Sequence, residues 1–501
     1  MYEKFLCFKL RNDHIYFLLA LLLLTAILGT MAPARAQSTS PWTPPVKFFE
    51  VEPGGEVQSP TLVSDPAGGL HAFWSAKVDV SAPSALYHSR WLGDRWSEPV
   101  DVLFSTFPTT VVVGKDNYFH AFWHFSKQLY YSKAPLAEAG DARQWAAPQP
   151  LSSIGDGGLG ITQDQEGTWY LAYAEDGLAA IKILRSKDNW STFDQITVAT
   201  NENPAVWLAF PSIAVAADGS LWLSWNELTS AWQGNSRAGV RERLLGVRSL
   251  DGGETWTRPE VIIEGYYNGG YRSVGDILVR LVAGGLGTGG RFVSFSYDSG
   301  NTWTEPINIG LGGAEGMQGI GLAIDSRGVW HFLVETSSTF AEVPWQDGIW
   351  STPQLVVGRE LLQECCVTPG EVTENGVIGV SNGNRLHVIF EEANRTLWWS
   401  QKTLDAPFVS AALPEPSRES QVYSLAPTSA DAQRVAIPES MLPAGADEKT
   451  TSPVVRSFAS DRTAAPWHPI AAGTLSALLV VVVAVLARKR LQIGGSGTRL
   501  R

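Results

Sequence analysis

The chain has 501 residues, a formal net charge of -12 and three cysteines. The acidity argues against nucleic acid or an anionic lipid surface as the partner of its bulk, and three cysteines cannot build a disulfide framework, so the fold must rest on a hydrophobic core. Length alone sets no domain count, because all-β barrels and propellers run past the usual domain size.

Near the N-terminus Lys4, Lys9 and Arg11 precede an apolar run from Ile15 to Ala32 and a small-residue site at Ala34–Ala36. Residues 1–36 therefore read as a secretory signal peptide or, since the run is long, as a signal anchor. Cys7 lies within it, which leaves the neighbours Cys365 and Cys366, read as packed thiols.

Residues 41–51, PWTPPVKFFEV, read as a strand with no unit before it. From there to residue 404, apolar alternation and Gly, Asp and Asn turns predict short strands throughout. One kind recurs as LHAFW at 70–74, FHAFW at 119–123, WYLAY at 169–173, LWLSW at 221–225, WHFLV at 330–334 and LHVIF at 386–390. Another follows Trp42, Trp96, Trp145, Trp190, Trp256, Trp303 and Trp350. Each unit holds four strands, A to D, in about 45 to 65 residues, the size of a propeller blade. The last unit stops after its third strand, so the strand at 41–51 completes it and closes an all-β ring with no free edge. The Trp count gives seven blades; the fifth unit, with a short first strand near Tyr271, leaves six as the alternative.

Residues 405–469, rich in Ala, Pro, Ser and charge, read as a disordered stalk. Ile470–Ala487 is 18 residues without a charge, followed at once by Arg488, Lys489 and Arg490. That predicts one transmembrane helix with 488–501 as a short basic cytoplasmic tail, which places the propeller outside the cell membrane.

The phrase Ser-x-Asp-x-Gly-x-x-Trp stands complete at Ser249, Asp251, Gly253, Trp256 and at Ser296, Asp298, Gly300, Trp303, between strands C and D. Its carboxylate can accept backbone N–H groups of its own turn, its glycine supplies a left-handed position, and its Trp can pack between blades, so the phrase is structural. Degenerate copies fit at 89–96 and 186–190. The phrase is the Asp-box, or bacterial neuraminidase repeat, and residues 41–404 resemble the sialidase (neuraminidase) superfamily. The resemblance implies a propeller whose chemistry lies on the face opposite the Asp-boxes. It also implies three arginines gripping a sialate carboxylate, a tyrosine nucleophile activated by a glutamate, and an acid/base aspartate. The family's first arginine precedes an Ile-Pro pair; the matching stretch VQSPTL, 57–62, has Ser59 before Pro60 and no arginine.

On the face opposite the boxes the longest expected loop is 226–243, with Glu227, Trp232, Arg237, Arg241 and Arg243. The next, 264–273, carries Glu264, Tyr266, Tyr267, Tyr271 and Arg272; Arg359 and Arg395 stand in two others. Tyr266, Tyr271, Glu264 and Glu227 are the catalytic candidates; Arg272, Arg237, Arg241, Trp232, Arg359 and Arg395 are the substrate-binding ones. Such a rim suits a carboxylate-bearing sugar or an aromatic platform for neutral glycans. His71, His120, His331 and His387 recur at one position of strand B and belong to the repeat, so neither a metal nor another cofactor is expected. The sequence supports three readings: a membrane-anchored propeller that binds glycan or another surface ligand, a sialidase-like glycoside hydrolase with an atypical site, and a protein-binding surface scaffold.

Overall fold

The computed structural model describes residues 40–105, 109–155, 158–203, 205–233, 236–265, 267–284, 290–310, 320–336, 339–357 and 373–409. The expected signal segment, the expected stalk from 410 onward, the apolar segment 470–487, the basic residues after it, Tyr266, Arg359, Cys365 and Cys366 lie outside them. Among the described residues no helix is long and apolar enough to cross a membrane.

Seven sheets form the ring. Each is an antiparallel up-and-down sheet whose strand A lies toward the axis and strand D outside. The closing strand, Val46–Glu50, pairs with Thr396–Thr403 and supplies the missing fourth strand of blade seven. The closing strand and its partner both lie within the described residues 40–409. The short first strand expected in the fifth unit is instead a full one, Tyr267–Val274. Gly269 and Gly270 weaken its β signal, but a Cβ at Gly270 would lie 2.1 Å from Ser212 Oγ of blade four, so close approach of the blades requires glycine.

The core sits between blades. Each sheet is covered on both faces, so strand B reads as a continuous apolar run instead of alternating: Trp169–Ala174 is buried at every position. Trp74, Trp123, Trp169 and Trp225 of four B strands are all fully buried.

Both sets of turns on one face are tied down by side chains. At the first intact Ser-x-Asp-x-Gly turn Ser249 Oγ donates to Asp251 (2.8 Å) and accepts from Gly253 N (2.9 Å). Asp251 accepts from Thr255 N (2.8 Å) and Thr255 Oγ1 (2.6 Å). The second, at 296–302, repeats these bonds through Asp298 and Thr302. The shortened copy at Ser186 keeps them too, with Trp190 at φ 71° where glycine stands elsewhere. These bonds push the Asp251 carboxyl down to about 2, Thr255 contributing most. Arginines in front of the box serines then clamp the next blade. Arg185 reaches Gly252 O (3.0 Å) and Glu254 (2.7 Å) of blade four, and Arg248 reaches Asn301 (2.7 Å) of blade five while also pairing with Asp218 (2.9 Å) of its own blade.

The strand-B histidines close the neighbouring A–B turns. His71 bonds Asp65 (3.3 Å) and His120 bonds Asp116 (2.9 Å), while His331 lies 3.5 Å from Asp325. Blade seven has no such aspartate, and His387 meets Ser381 (2.8 Å) and accepts from Trp399 Nε1 (3.2 Å). That acceptor role puts the ring proton on Nε2, and burial lowers the imidazole to about 3.

Candidate functional site: the axial channel and the blade-four rim

Strands A of blades one to six line a channel of about 620 Å³ along the axis. Its wall is built of small, apolar and hydroxyl-bearing residues, among them Thr61, Thr110, Gly158, Phe210 and Ser212. Two strands bulge as they enter it, Ser59 at φ 56° before Pro60 and Phe210 at φ 55° before Pro211. A left-handed conformation is rare for a bulky residue and marks strain held by the surroundings. The first bulge occupies the stretch where the family's first arginine would stand.

Among the described residues lining the channel Arg272 alone carries a charge. Solvent reaches it, although protein surrounds it on the channel wall, and that burial lowers its pKa without removing its charge at neutral pH. No carboxylate of the described residues acts on it; its guanidinium donates to the Tyr271 carbonyl at 3.4 Å. A guanidinium held without a counter-ion in a largely protein-walled space is a ready partner for an anion.

Tyr271, one residue earlier, faces the other way. The sequence puts it on the rim as a nucleophile candidate; the structure buries it between blades four and five, 2% exposed, against Trp222, Trp303 and Leu278. Burial pushes its phenol up to about 12 despite the nearby Arg280, which stacks on Trp303 at 4.6 Å. A phenol so placed is harder to ionise and has no route to a ligand in the channel, because alternation along strand A sends neighbours to opposite faces.

The 226–243 stretch, expected as a loop, is a β-hairpin. Strand B runs Leu221–Gln233 and strand C Ser236–Ser249, and their register continues to Trp232↔Arg237 and Gln233↔Ser236. Its dense charge hid a regular alternation. Trp232, Arg237 and Arg241 therefore occupy a projecting two-stranded arm. Glu227 and Arg243 are opposed at its base and form an ion pair of 2.5 Å. Glu264 on strand D is opposite Arg243 on its other side. Glu227, through its hydrogen bond, and then Glu264, through its charge, raise the Arg243 guanidinium. Glu227 is thus paired with Arg243, and Glu264 acts on the same guanidinium through its charge. Behind them a cleft of about 270 Å³ lies between blades three and four, lined in part by Asn201, Trp225, Glu227 and Arg243.

Arg395 lies exposed in the tight Glu392–Thr396 turn of blade seven, where its carbonyl accepts from Val51 N at 3.0 Å. It stands on the rim and does not line the channel. The sequence missed Thr61, Thr110, Phe210 and Ser212, whose only signal was their place on the innermost strand of each repeat.

The chain matches no family profile and no curated protein sequence. Solved structures share its ring. A polysaccharide lyase of the ulvan lyase type is 10% identical over 71% of this chain and 95% of its own, with a TM-score of 0.48. The NanB sialidase from Streptococcus pneumoniae is 12% identical over 71% of this chain and 70% of its own, with a TM-score of 0.37. The Hadza microbial sialidase Hz136 is 14% identical over 70% and 66%, also at 0.37. The similarity is one of fold alone.

Proposed function

We propose that the protein is a membrane-tethered extracellular propeller that binds a carboxylate-bearing glycan in its axial channel and does not hydrolyse it. The observation that carries this reading is Arg272, the lone charge among the described residues lining the channel and without a carboxylate partner among them. A planar guanidinium matches a carboxylate in a bidentate way, and a channel of about 620 Å³ falls in the range of small-ligand pockets. Thr61, Thr110 and Ser212 add hydroxyls suited to a sugar. The burial of Tyr271 and the ion pair of Glu227 with Arg243 speak against Tyr271 and Glu227 as the tyrosine–glutamate pair that the sequence resemblance implies.

The test is an array of sialylated, uronate-bearing and neutral oligosaccharides probed with residues 37–409, alongside turnover of a fluorogenic sialoside. Acidic glycans are expected to be retained and the sialoside left intact. Retention of neutral glycans alone would contradict the reading, and turnover by the folded domain would replace it with a hydrolase.

A further inference from the structure

The cleft of about 270 Å³ between blades three and four shares none of its described lining residues with the channel. One wall is the end of strand D of blade three, where Thr200 closes the strand Asp194–Thr200 and Asn201 follows it. Three bonds hold Asn201: its backbone N–H donates to Ala179 O (2.8 Å), its Nδ2 donates to Val206 O (3.3 Å) and its Oδ1 accepts from Asn203 N (2.9 Å). Leu208 N donates to Leu178 O (2.8 Å) and ties strand A of blade four to the same end of blade three. The opposite wall is one face of blade four. Leu208 and Arg243 stand on either side of Glu227, and Leu245 stands between Trp225 and Val261. Residues directly opposite across a sheet share a face, and Trp225 and Glu227, two apart on strand B, join the two rows. Walls fixed in this way lower the cost of ordering a ligand between them.

Polar capacity is left unused in this cleft. Glu227 and Arg243 meet through Oε2 and Nε, and among the described residues the two side chains make no other hydrogen bond. Both Nη groups of Arg243 remain as donors and Oε1 of Glu227 as an acceptor. Trp225, which also lines the cleft, is 1% exposed, and its Nε1 has no partner among the described residues. A buried N–H without a partner is costly, so this one points to a group that arrives from outside the chain.

We propose that the cleft is a second subsite, taking one neutral pyranose unit of the glycan whose acidic unit the channel holds; calling the ligand a glycan rests on the function proposed above. Hydroxyls both donate and accept, so two neighbouring ones on a sugar ring can meet the guanidinium and the spare carboxylate oxygen together. The C–H face of the ring then lies against Leu208, Leu245, Pro259 and Val261. A carboxylate is a poor occupant, because Arg243 already faces Glu227 and Glu264, and a cation is a poor one, because Glu227 faces Arg243. The volume lies at the lower limit of small-ligand pockets, which fits a single sugar unit. Strand A of blade four joins the two subsites: Leu208 lines the cleft, and Phe210, Pro211 and Ser212, at the bulge, line the channel. A bulge re-aims side chains, and here it lets one strand serve both.

The test is saturation-transfer NMR on the full chain with the methyl pyranosides of glucose, galactose and mannose at millimolar concentration, alone and with glucuronate added. At least one glycoside is expected to show transfer that glucuronate leaves in place. Its affinity is expected to fall about tenfold or more in Glu227→Gln, and likewise in Val261→Phe, which fills the cleft from a position 44% exposed. Val100→Phe, the like change on strand D of blade one, is expected to bind as wild type does. Val261→Phe decides the matter should Glu227→Gln lower the unfolding midpoint. No transfer from any of the three, or transfer that Val261→Phe leaves intact, overturns the proposal. Transfer that glucuronate abolishes also overturns it, by putting the neutral sugar in the channel. Failure of the channel reading looks different: the glycan array retains no acidic glycan, while the neutral glycoside still binds and Val261→Phe still removes it.

Discussion

The wedge between blades four and five and the channel wall beside it are made from the same strand, yet they treat polar groups in opposite ways. In the wedge, Tyr271 meets Arg280, Arg280 stacks on Trp303, and Trp222 donates to Ser299 O (3.2 Å). In the channel, Arg272 has no carboxylate among the described residues. The seam between blades six and seven extends the first pattern. There Glu342, fully buried, receives Trp42 Nε1 (3.2 Å), His331 Nδ1 (2.7 Å) and Lys402 Nζ (2.5 Å). At the seam the charges have protein partners, whereas Arg272 in the channel has no carboxylate partner among the described residues.

The comparison breaks first at the seam if it is wrong. Glu342→Ala removes the common partner of Trp42, His331 and Lys402 and leaves a buried ammonium, so it should cost about 3–5 kcal/mol in chemical unfolding. A wild-type midpoint would mean that the closing strand is held by its backbone pairing alone.

Tyr271→Ala should cost nearly as much, about 3–5 kcal/mol, by emptying the wedge, whereas Tyr271→Phe should lose only about 0.5–1.5 kcal/mol. Neither should alter ligand affinity while the domain stays folded. Loss of binding in folded Tyr271→Phe would return the phenol to the site.

A gentler effect should appear with pH. Burial depresses His387 in the fold to about 3, against 6.5 when unfolded, so below that value the unfolded chain binds the proton first. Stability is therefore complete above pH 6.5 and is lost as pH falls toward about 3, by about 1–2 kcal/mol from this group on reaching about pH 5. Burial lowers His71, His88 and His120 as well, which adds to the same acid-side loss. Denaturation midpoints measured from pH 7 to 5 should decline, and His387→Gln should flatten the slope; a flat wild-type profile would show that these imidazoles protonate within the fold.

The smallest effect on stability should come from Arg272→Met, within about 0.5 kcal/mol of wild type, because no ion pair is lost. A large loss would reveal a hidden structural partner and blur the distinction between holding and binding groups.

Much of the ring was legible because its repeat is written in large residues: the strand-B Trp and Phe runs, the Trp before each strand D, and the orphan strand at 41–51 all mark positions that packing requires. What the sequence obscured depends on register. Whether Tyr271 or Arg272 faces the channel turns on a one-residue choice in a strand weakened by Gly269 and Gly270. The bulges at Ser59 and Phe210 shift that register again in neighbouring strands. The blade-four arm was hidden differently, by charges that suggested a solvated loop while its alternation already fitted two paired strands. Recurrence of the histidines was visible, but their aspartate partners lie across a turn whose geometry spacing does not give.

The most direct test of the account is a calorimetric titration of residues 37–409 and of Arg272→Met with one acidic oligosaccharide that the array retains, and with its carboxylate methyl ester. The account predicts that the acid binds, that the ester binds about 10- to 100-fold more weakly, and that Arg272→Met loses affinity for the acid by a similar factor while keeping its stability. Equal affinity for acid and ester, or an Arg272→Met domain that binds the acid as wild type does, would contradict it.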